Sequence, residues 1–309
     1  MILTVTLSPA IDKTAECESF NPSEVNRITP ISVDFGGKGI NVSRAAKKLG
    51  LNTYAIGIGF DKADEINRFL KSEGISADFI KCPAPLRTNL KIFDNETKNT
   101  VEINEPASKV KKDVLSKLIQ RFESIVVNCD ILVLAGSVPS GVPLDIYKTL
   151  CLRAKELNPE VKVIIDASGE ALRSGIEAAP YMIKPNLEEL CGAFGCALKK
   201  YSDIKAVAEQ IIDGAGVNTV LISLGAQGAM IVDKERAYHQ DAVKVDVKSA
   251  QGAGDAMVAG ACLALEDGVS LYKTLVFGVC SAAGAVSQNG TAFCGRDFFD
   301  EKVKEILKK

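Results

Sequence analysis

Histidine is almost missing from this 309-residue chain, which has one, His239, in a charged stretch where a surface position is expected. A His-clustered metal centre or a Ser-His-Asp relay therefore has little to be built from. Basic excess is missing as well. Thirty-seven Lys and Arg against 39 Asp and Glu leave a net charge of −2, so no global field points to nucleic acid or an anionic membrane. Any anionic ligand has to be met by a few local cations. No run approaches the ~18 apolar residues of a membrane span. The opening Met1-Ile-Leu-Thr-Val-Thr-Leu has neither the basic stretch nor the apolar length of a secretory signal, and a cytoplasmic location is expected. No C-x-x-C pair occurs among the nine cysteines. Cys129, Cys151, Cys262 and Cys280 sit in apolar or helical surroundings, and reduced structural thiols are expected. Two phosphate-binding fingerprints are also absent. Gly36-Gly37-Lys38-Gly39 has glycine after its lysine where a P-loop needs Ser or Thr, and no G-x-G-x-x-G follows the first apolar run.

What is present is a foldable α/β pattern. Forty-seven per cent apolar and 25% charged residues support a large core, and the length suits one domain with a small appendage. Short β-branched runs at 2–7, 53–58, 131–135, 161–166, 219–224, 229–233 and 243–247 read as strands. Helical periodicity covers 42–49, 63–72, 111–124, 144–157, 187–194, 204–213, 255–266 and 271–288, with Gly50, Gly74 and Gly268 placed as terminators. Such alternation predicts a mainly parallel sheet with helices on both faces. Two polar-mixed, β-leaning inserts interrupt it, at about 12–35 and 86–105. They are either two unrelated surface loops or one small sheet lying over the active edge as a lid.

Several segments could carry chemistry, each with a plain structural alternative. Gly252-Ala253-Gly254-Asp255 opens a helix. Its amides can approach an anion, with Asp255 as a general base for a hydroxyl attacking phosphorus, or Asp255 is simply a helix cap. Gly36-Gly37-Lys38-Gly-Ile-Asn41 is a ligand-touching loop or a flexible turn. Asn186 and Glu189, spaced i, i+3 after Lys184-Pro185, either order a Mg²⁺ shell or form a reciprocal helix cap. Ser223-Leu-Gly225-Ala-Gln-Gly228 is a tight connection or a glycine-lined ledge for a nucleotide. On a strand, Arg87, Asn89 and Lys91 share one face. That face suits a phosphate and neighbouring hydroxyls, or else it is the solvated outer side of an edge strand.

Taken in order, these segments resemble the PfkB (ribokinase-like) carbohydrate kinases nearly end to end. Thr6-Leu-Ser-Pro-Ala-Ile-Asp12 is similar to that family's first strand with its sugar-binding aspartate. Gly36 to Arg44 resembles the first signature, and Gly252 to Asp255 the second. Ala135-Gly-Ser-Val-Pro-Ser-Gly141, Lys184 to Leu190 and Ser223 to Gly228 match blocks between them. The resemblance implies a ribokinase-like α/β fold, a mainly parallel sheet sandwiched by helices with a small β-sheet lid, in a single kinase domain over 1–309. It implies ATP and Mg²⁺ as cofactors, a ketohexose phosphate as acceptor, and a homodimer through the lid, with no nucleic-acid or membrane partner. Carried over by position, Asp255 is the base, with the amides of Gly252, Ala253 and Gly254 forming the anion hole. Asp12, Gly37, Lys38, Asn41, Arg87, Asn89, Lys91 and Ser137 form the sugar-phosphate side. Lys184, Asn186, Ser223, Gly225, Gly228 and Asn289 approach ATP, with Asn186 and Glu189 serving Mg²⁺. Two segments depart from the family pattern: Ser249-Ala250-Gln251 before the second signature, and Gly59-Phe60-Asp-Lys-Ala after the second strand. The Arg-x-Asn-x-Lys order resembles the 1-phosphofructokinase branch, with tagatose-6-phosphate kinases next, and fructose 1-phosphate is the expected acceptor.

Overall fold

The computed structural model describes residues 1–195, 200–288, 290 and 292–308. Strand β1 (Ile2–Thr6) enters the core at once, and the chain then leaves it for β2 (Ala10–Cys17) and β3 (Thr29–Gly36). Helix α1 (Lys38–Lys48) leads back to β4 (Thr53–Phe60), α2 (Ala63–Ser72) and β5 (Ser76–Lys81). A second excursion forms β6 (Thr88–Asp94) and β7 (Thr100–Asn104). Regular alternation follows through α3 (Lys112–Val126), β8 (Ile131–Ala135), α4 (Ile146–Leu157), β9 (Lys162–Asp166), α5 (Gly169–Ile176) and β10 (Met182–Ile183). Helices α6 (Leu187–Phe194) and α7 (Tyr201–Ala215) precede β11 (Thr219–Ser223), β12 (Ala229–Val232) and β13 (Ala237–Gln240). Then come α8 (Ala253–Glu266), α9 (Leu271–Val286) and α10 (Arg296–Leu307).

Nine strands form one sheet in the order β13-β12-β11-β10-β9-β8-β1-β4-β5. Only the β11–β12 and β12–β13 pairs are antiparallel. The central strands are apolar throughout because both faces are covered. In β1, Leu3 and Val5 join the core beneath α2 to α7, while Ile2 joins the core beneath α1, α8, α9 and α10. Strand β8 divides the same way, Leu132 and Leu134 against Ile131 and Val133, as the two-residue side-chain period requires. Helices α8 and α9 are buried over most of their length. They touch backbone to backbone at Gly260, where a Cβ would stand 2.4 Å from the Phe277 carbonyl oxygen.

The two inserts pair into one four-stranded layer, β3-β2-β6-β7. Each insert is an antiparallel hairpin, and the two hairpins meet through a parallel β2–β6 seam. The register puts Asp12 between Asp34 on β3 and Asn89 on β6.

The expected strand at 243–247 does not form, and β13 takes the edge instead. Asp233 explains the difference. Its carboxylate accepts the backbone N–H groups of Glu235 and Arg236, closing a tight turn that starts the return strand at Ala237. His239 consequently lies on an edge strand. Its ring stacks on Tyr201 with centroids 4.3 Å apart, and Nε2 lies 2.9 Å from the Gln227 carbonyl oxygen. The cysteines among the described residues are all free thiols, and six of them are buried. Among the described residues no helix is long and apolar enough to cross a membrane.

Candidate active site

The carboxyl ends of β1, β8 and β9 face the amino ends of α1 and α8, the crevice in which open α/β sheets bind ligands. Asp255 lies in the first turn of α8, 7% exposed. Asn41 Nδ2 donates to Asp255 Oδ2 at 2.8 Å. Burial and the charge of Asp166 push the Asp255 carboxyl up to about 7, against smaller opposing effects of Lys38, Asn41 and Lys184. Asp166, at the end of β9, has no exposed surface. Its Oδ1 meets Lys38 Nζ at 2.9 Å and Lys184 Nζ at 3.4 Å, and its Oδ2 has no hydrogen-bond partner among the described residues. Burial alone would raise the Asp166 pKa, but the two lysines hold it below the usual carboxylate value. Lys38 also reaches Glu189 Oε1 at 3.3 Å. Burial opposes the Lys38 charge, and Asp166, Glu189 and Asp255 outweigh it, keeping the ammonium protonated far above its ordinary range. A carboxyl that titrates near neutrality thus stands beside two fixed cations.

On the small-sheet side, Asn89 Nδ2 donates to Asp12 Oδ1 at 2.8 Å. Burial raises the Asp12 pKa and Asp34 adds to it, while Asn89, Lys91 and Arg87 pull it back. Gly36 is pressed so closely on this carboxylate that a Cβ there would fall 1.9 Å from Oδ2. The Arg87 guanidinium donates to the carbonyls of Ser8 and Pro9, which pins the turn after β1. Burial lowers the Arg87 pKa. Lys91 pairs with Glu102 across the β6–β7 ladder, at 3.5 Å.

On the other side of Asp255 lies a mostly apolar slot of about 450 Å³. Its walls include Ser223, Gly225, Val243, Val247, Met257 and Val286. The segment 242–247, freed from strand pairing, thus supplies one wall. Asn186 also lines the slot and caps α6 in a complete capping box: Asn186 Oδ1 accepts the Glu189 N–H at 2.7 Å, and Glu189 Oε2 accepts the Asn186 N–H at 2.9 Å. Glu189 thus caps with one oxygen and meets Lys38 with the other.

The model of the pfkB family carbohydrate kinases matches residues 5–297. The chain belongs to that family. It is 31% identical to the 1-phosphofructokinase of Bacillus subtilis over 308 residues, covering 99% of this chain and 97% of the relative. It is 32% identical to the 1-phosphofructokinase of Borreliella burgdorferi, covering 99% and 96%. Among solved structures, Escherichia coli phosphofructokinase-2 in complex with substrates and products superposes with a TM-score of 0.90 at 29% identity, covering 100% of this chain and 99% of that one.

On this family scaffold, Asp255, Asn41, Lys38 and Lys184 come together with Asp166, and Asp12, Asn89, Arg87 and Lys91 come together at the small sheet. Asn186, Ser223, Gly225, Gly228 and Gly254 line the slot. Gly37, at φ 125°, starts α1 and packs on Thr6 and Pro9. Ser137 is exposed in the loop after β8. Asn289 lies outside the described residues. Sequence reasoning did not single out Asp166 or the reach of Gln251, whose Nε2 lies 3.5 Å from Asp12 Oδ2. The signal for Asp166 was available, since it is a lone acid ending an apolar strand at the ligand-binding edge.

Proposed function

We propose that this kinase transfers the γ-phosphoryl group of ATP to the free primary hydroxyl of fructose 1-phosphate, giving fructose 1,6-bisphosphate and ADP. The observation that carries the reading is Asp255: a carboxyl pushed up to about 7, held by Asn41, between an apolar slot and a cationic, hydroxyl-binding cluster. Its carboxylate takes the hydroxyl proton as the new oxygen–phosphorus bond forms and the bond to the ADP oxygen breaks. The first amides of α8, Gly252 to Asp255, have no intrahelical acceptor, and a helix start of this kind suits an anion. Together with Lys38 and Lys184 they are suited to the charge on the moving phosphoryl group.

The slot suits a purine and ribose, with Ser223, Gly225 and Gly228 against the nucleotide and Asn186 near its phosphates. Among the described residues no three His, Cys, Asp or Glu side chains gather into a metal site. The donors nonetheless fit a hydrated Mg²⁺ brought by ATP, because the partnerless Asp166 Oδ2 and the Glu189 carboxylate are hard oxygen ligands for its waters. Bound there, Mg²⁺ would neutralise phosphate charge, while Asn186 spends its amide oxygen on the helix cap.

On the acceptor side, Asp12 and Asn89 suit sugar hydroxyls and Lys91 a phosphate. Arg87 acts by holding the turn around them, since its guanidinium donates to the backbone carbonyls of Ser8 and Pro9. The full-length relatives named 1-phosphofructokinase support fructose 1-phosphate as acceptor. Fructose 6-phosphate is the second reading, favoured by E. coli phosphofructokinase-2, which has been solved with that sugar and resembles this chain with a TM-score of 0.89. ATP turnover with fructose 1-phosphate, fructose 6-phosphate and tagatose 6-phosphate decides between them. The highest kcat/KM for fructose 1-phosphate is expected, and a higher value for either other sugar overturns the assignment.

The small sheet serves in this reading as a lid and as the contact between two copies. Ile31, Val33 and Ile103 are 47%, 62% and 52% exposed on its strands, an apolar outer face that a second copy would cover. The E. coli neighbour has a tetrameric inhibited form. Val33→Asp should convert the protein to monomers in sedimentation. A monomeric wild type would remove the pairing.

A further inference from the structure

Of the groups close to Asp12, one comes from the opposite side of the crevice. Asn89 fixes Oδ1 at 2.8 Å, and Gly36 presses on Oδ2. Across the crevice stands the Gln251 amide, whose Nε2 lies 3.5 Å from Oδ2. That separation is at the outer limit of a hydrogen bond, so the amide is close to Asp12 and only weakly held by it.

The backbone that aims Gln251 is firmly anchored. The N–H groups of Lys248 and Ser249 both donate to the Val286 carbonyl, at 2.8 and 3.2 Å. The Gln251 N–H donates to Ser249 Oγ at 3.2 Å. Gly252, at φ 74°, backs onto Phe293, where a Cβ would meet the ring at 3.2 Å. Gln251 therefore joins two parts of the site that no other side-chain hydrogen bond joins among the described residues: the turn leading into Asp255 and the acceptor-side aspartate. Its amide carries a donor and an acceptor. With Nε2 toward Asp12, Oε1 is left to accept from a ligand hydroxyl.

We infer that Gln251 is a specificity-determining residue, which together with Asp12 grips a hydroxyl of the bound ketohexose phosphate and so positions the acceptor beneath Asp255. The inference rests on the kinase reading above. It predicts a contact made by the sugar and not by the nucleotide. It also predicts discrimination at the sugar carbon whose hydroxyl spans Asp12 and Gln251, since a site built to bond a hydroxyl penalises a ligand that misplaces it.

The test is Gln251→Val and Gln251→Glu beside the wild type. Steady-state kinetics on the three ketohexose phosphates are combined with calorimetric titration of fructose 1-phosphate and of ATP. Loss of one neutral hydrogen bond should raise KM and Kd for fructose 1-phosphate by about three- to tenfold. KM for ATP and the melting temperature should stay at wild-type values. In Gln251→Glu a second carboxylate faces Asp12, so the rise in KM should grow as pH is raised from 5 to 8. Two results overturn the inference: sugar-phosphate KM and Kd unchanged in both variants, or sugar and ATP constants rising together with a lower melting temperature. A wild type that neither binds nor phosphorylates any of the three sugars sinks the kinase reading and the inference with it. A wild type that turns over normally beside unaffected variants removes the inference alone.

Discussion

Asn41 and Asp255, on α1 and α8, are joined by one hydrogen bond, Asn41 Nδ2 to Asp255 Oδ2 at 2.8 Å. The bond ties the glycine-rich start of α1 to the first turn of α8 and orients the carboxyl, leaving Oδ1 to take a proton. Four predictions follow from this site and its surroundings.

Asp255→Asn keeps the shape and the Asn41 contact but cannot accept the hydroxyl proton. kcat is expected to fall by ~10²–10⁴, with ATP binding by calorimetry unchanged. Turnover within threefold of wild type would reduce Asp255 to a helix cap.

The raised Asp255 pKa makes activity depend on pH in a definite direction. The base is ionised only above about 7, so kcat/KM should fall about tenfold per unit as pH drops below that value. Stability runs the other way. The folded state holds the Asp255 proton more tightly than the unfolded chain, so stability contributed by the neutral carboxyl is lost as pH rises from about 4 to about 7. At pH 8 the cost is at most about 4 kcal/mol. Asp255→Asn should therefore gain melting temperature over wild type, and gain more at pH 8 than at pH 5. An equal gain at both values would contradict the assigned shift.

Gly36→Ala puts a methyl where Asp12 Oδ2 stands, 1.9 Å away, with the carboxylate already held by Asn89. Overpacking of this kind costs ~1–3 kcal/mol. Displacing Asp12 should raise KM for the sugar phosphate more than tenfold while KM for ATP stays within twofold. Equal changes in both constants would refute a role confined to the acceptor side.

Lys91 pairs with Glu102 and acts on Asp12 through its charge. Lys91→Ala should raise KM for the sugar phosphate and leave KM for ATP alone, whereas Glu102→Ala should lower the sugar-phosphate KM or leave it unchanged, by freeing the ammonium. The pair is half exposed on the glutamate side, so thermal stability should barely move in either variant.

Much of this architecture can be read from local chemistry. Helices α2 and α6 have the ends their sequences announce, because amphipathic spacing marks the first and the Asn186–Glu189 box marks the second. At Asn186 and Glu189 the reciprocal cap is complete, and Glu189 also meets Lys38. Long-range context carried the rest. The apolar run 243–247 reads as a strand, but the Asp233 turn gives the edge to Ala237–Gln240, and the run lines the slot instead. Helix α10 hides one residue fully, Phe299, so its apolar stripe is too thin to stand out in a charged sequence. Helix α5 contains Gly175, which reads as a break and is needed because a Cβ would stand 2.9 Å from the Ile165 side chain. Asp166 is marked in the sequence as an acid ending an apolar strand, but its partners Lys38 and Lys184 emerge only from the fold.

The small sheet hangs from the large one by four connections: residues 7–9, the single residue Gly37, residues 82–87 and residues 105–111. A layer tethered at so short a hinge as Gly37 can swing but has little freedom to slide. Asp12 and Asn89 sit on adjacent strands and are bonded to one another, so they would travel as a unit. Asp166, Lys184 and Asp255 are rooted in the large sheet and its buried helices and would stay in place. The separation between Asp12 and Gln251 is then a direct gauge of the swing, so a pair of labels on the two layers would read the aperture of the crevice without any sugar being turned over.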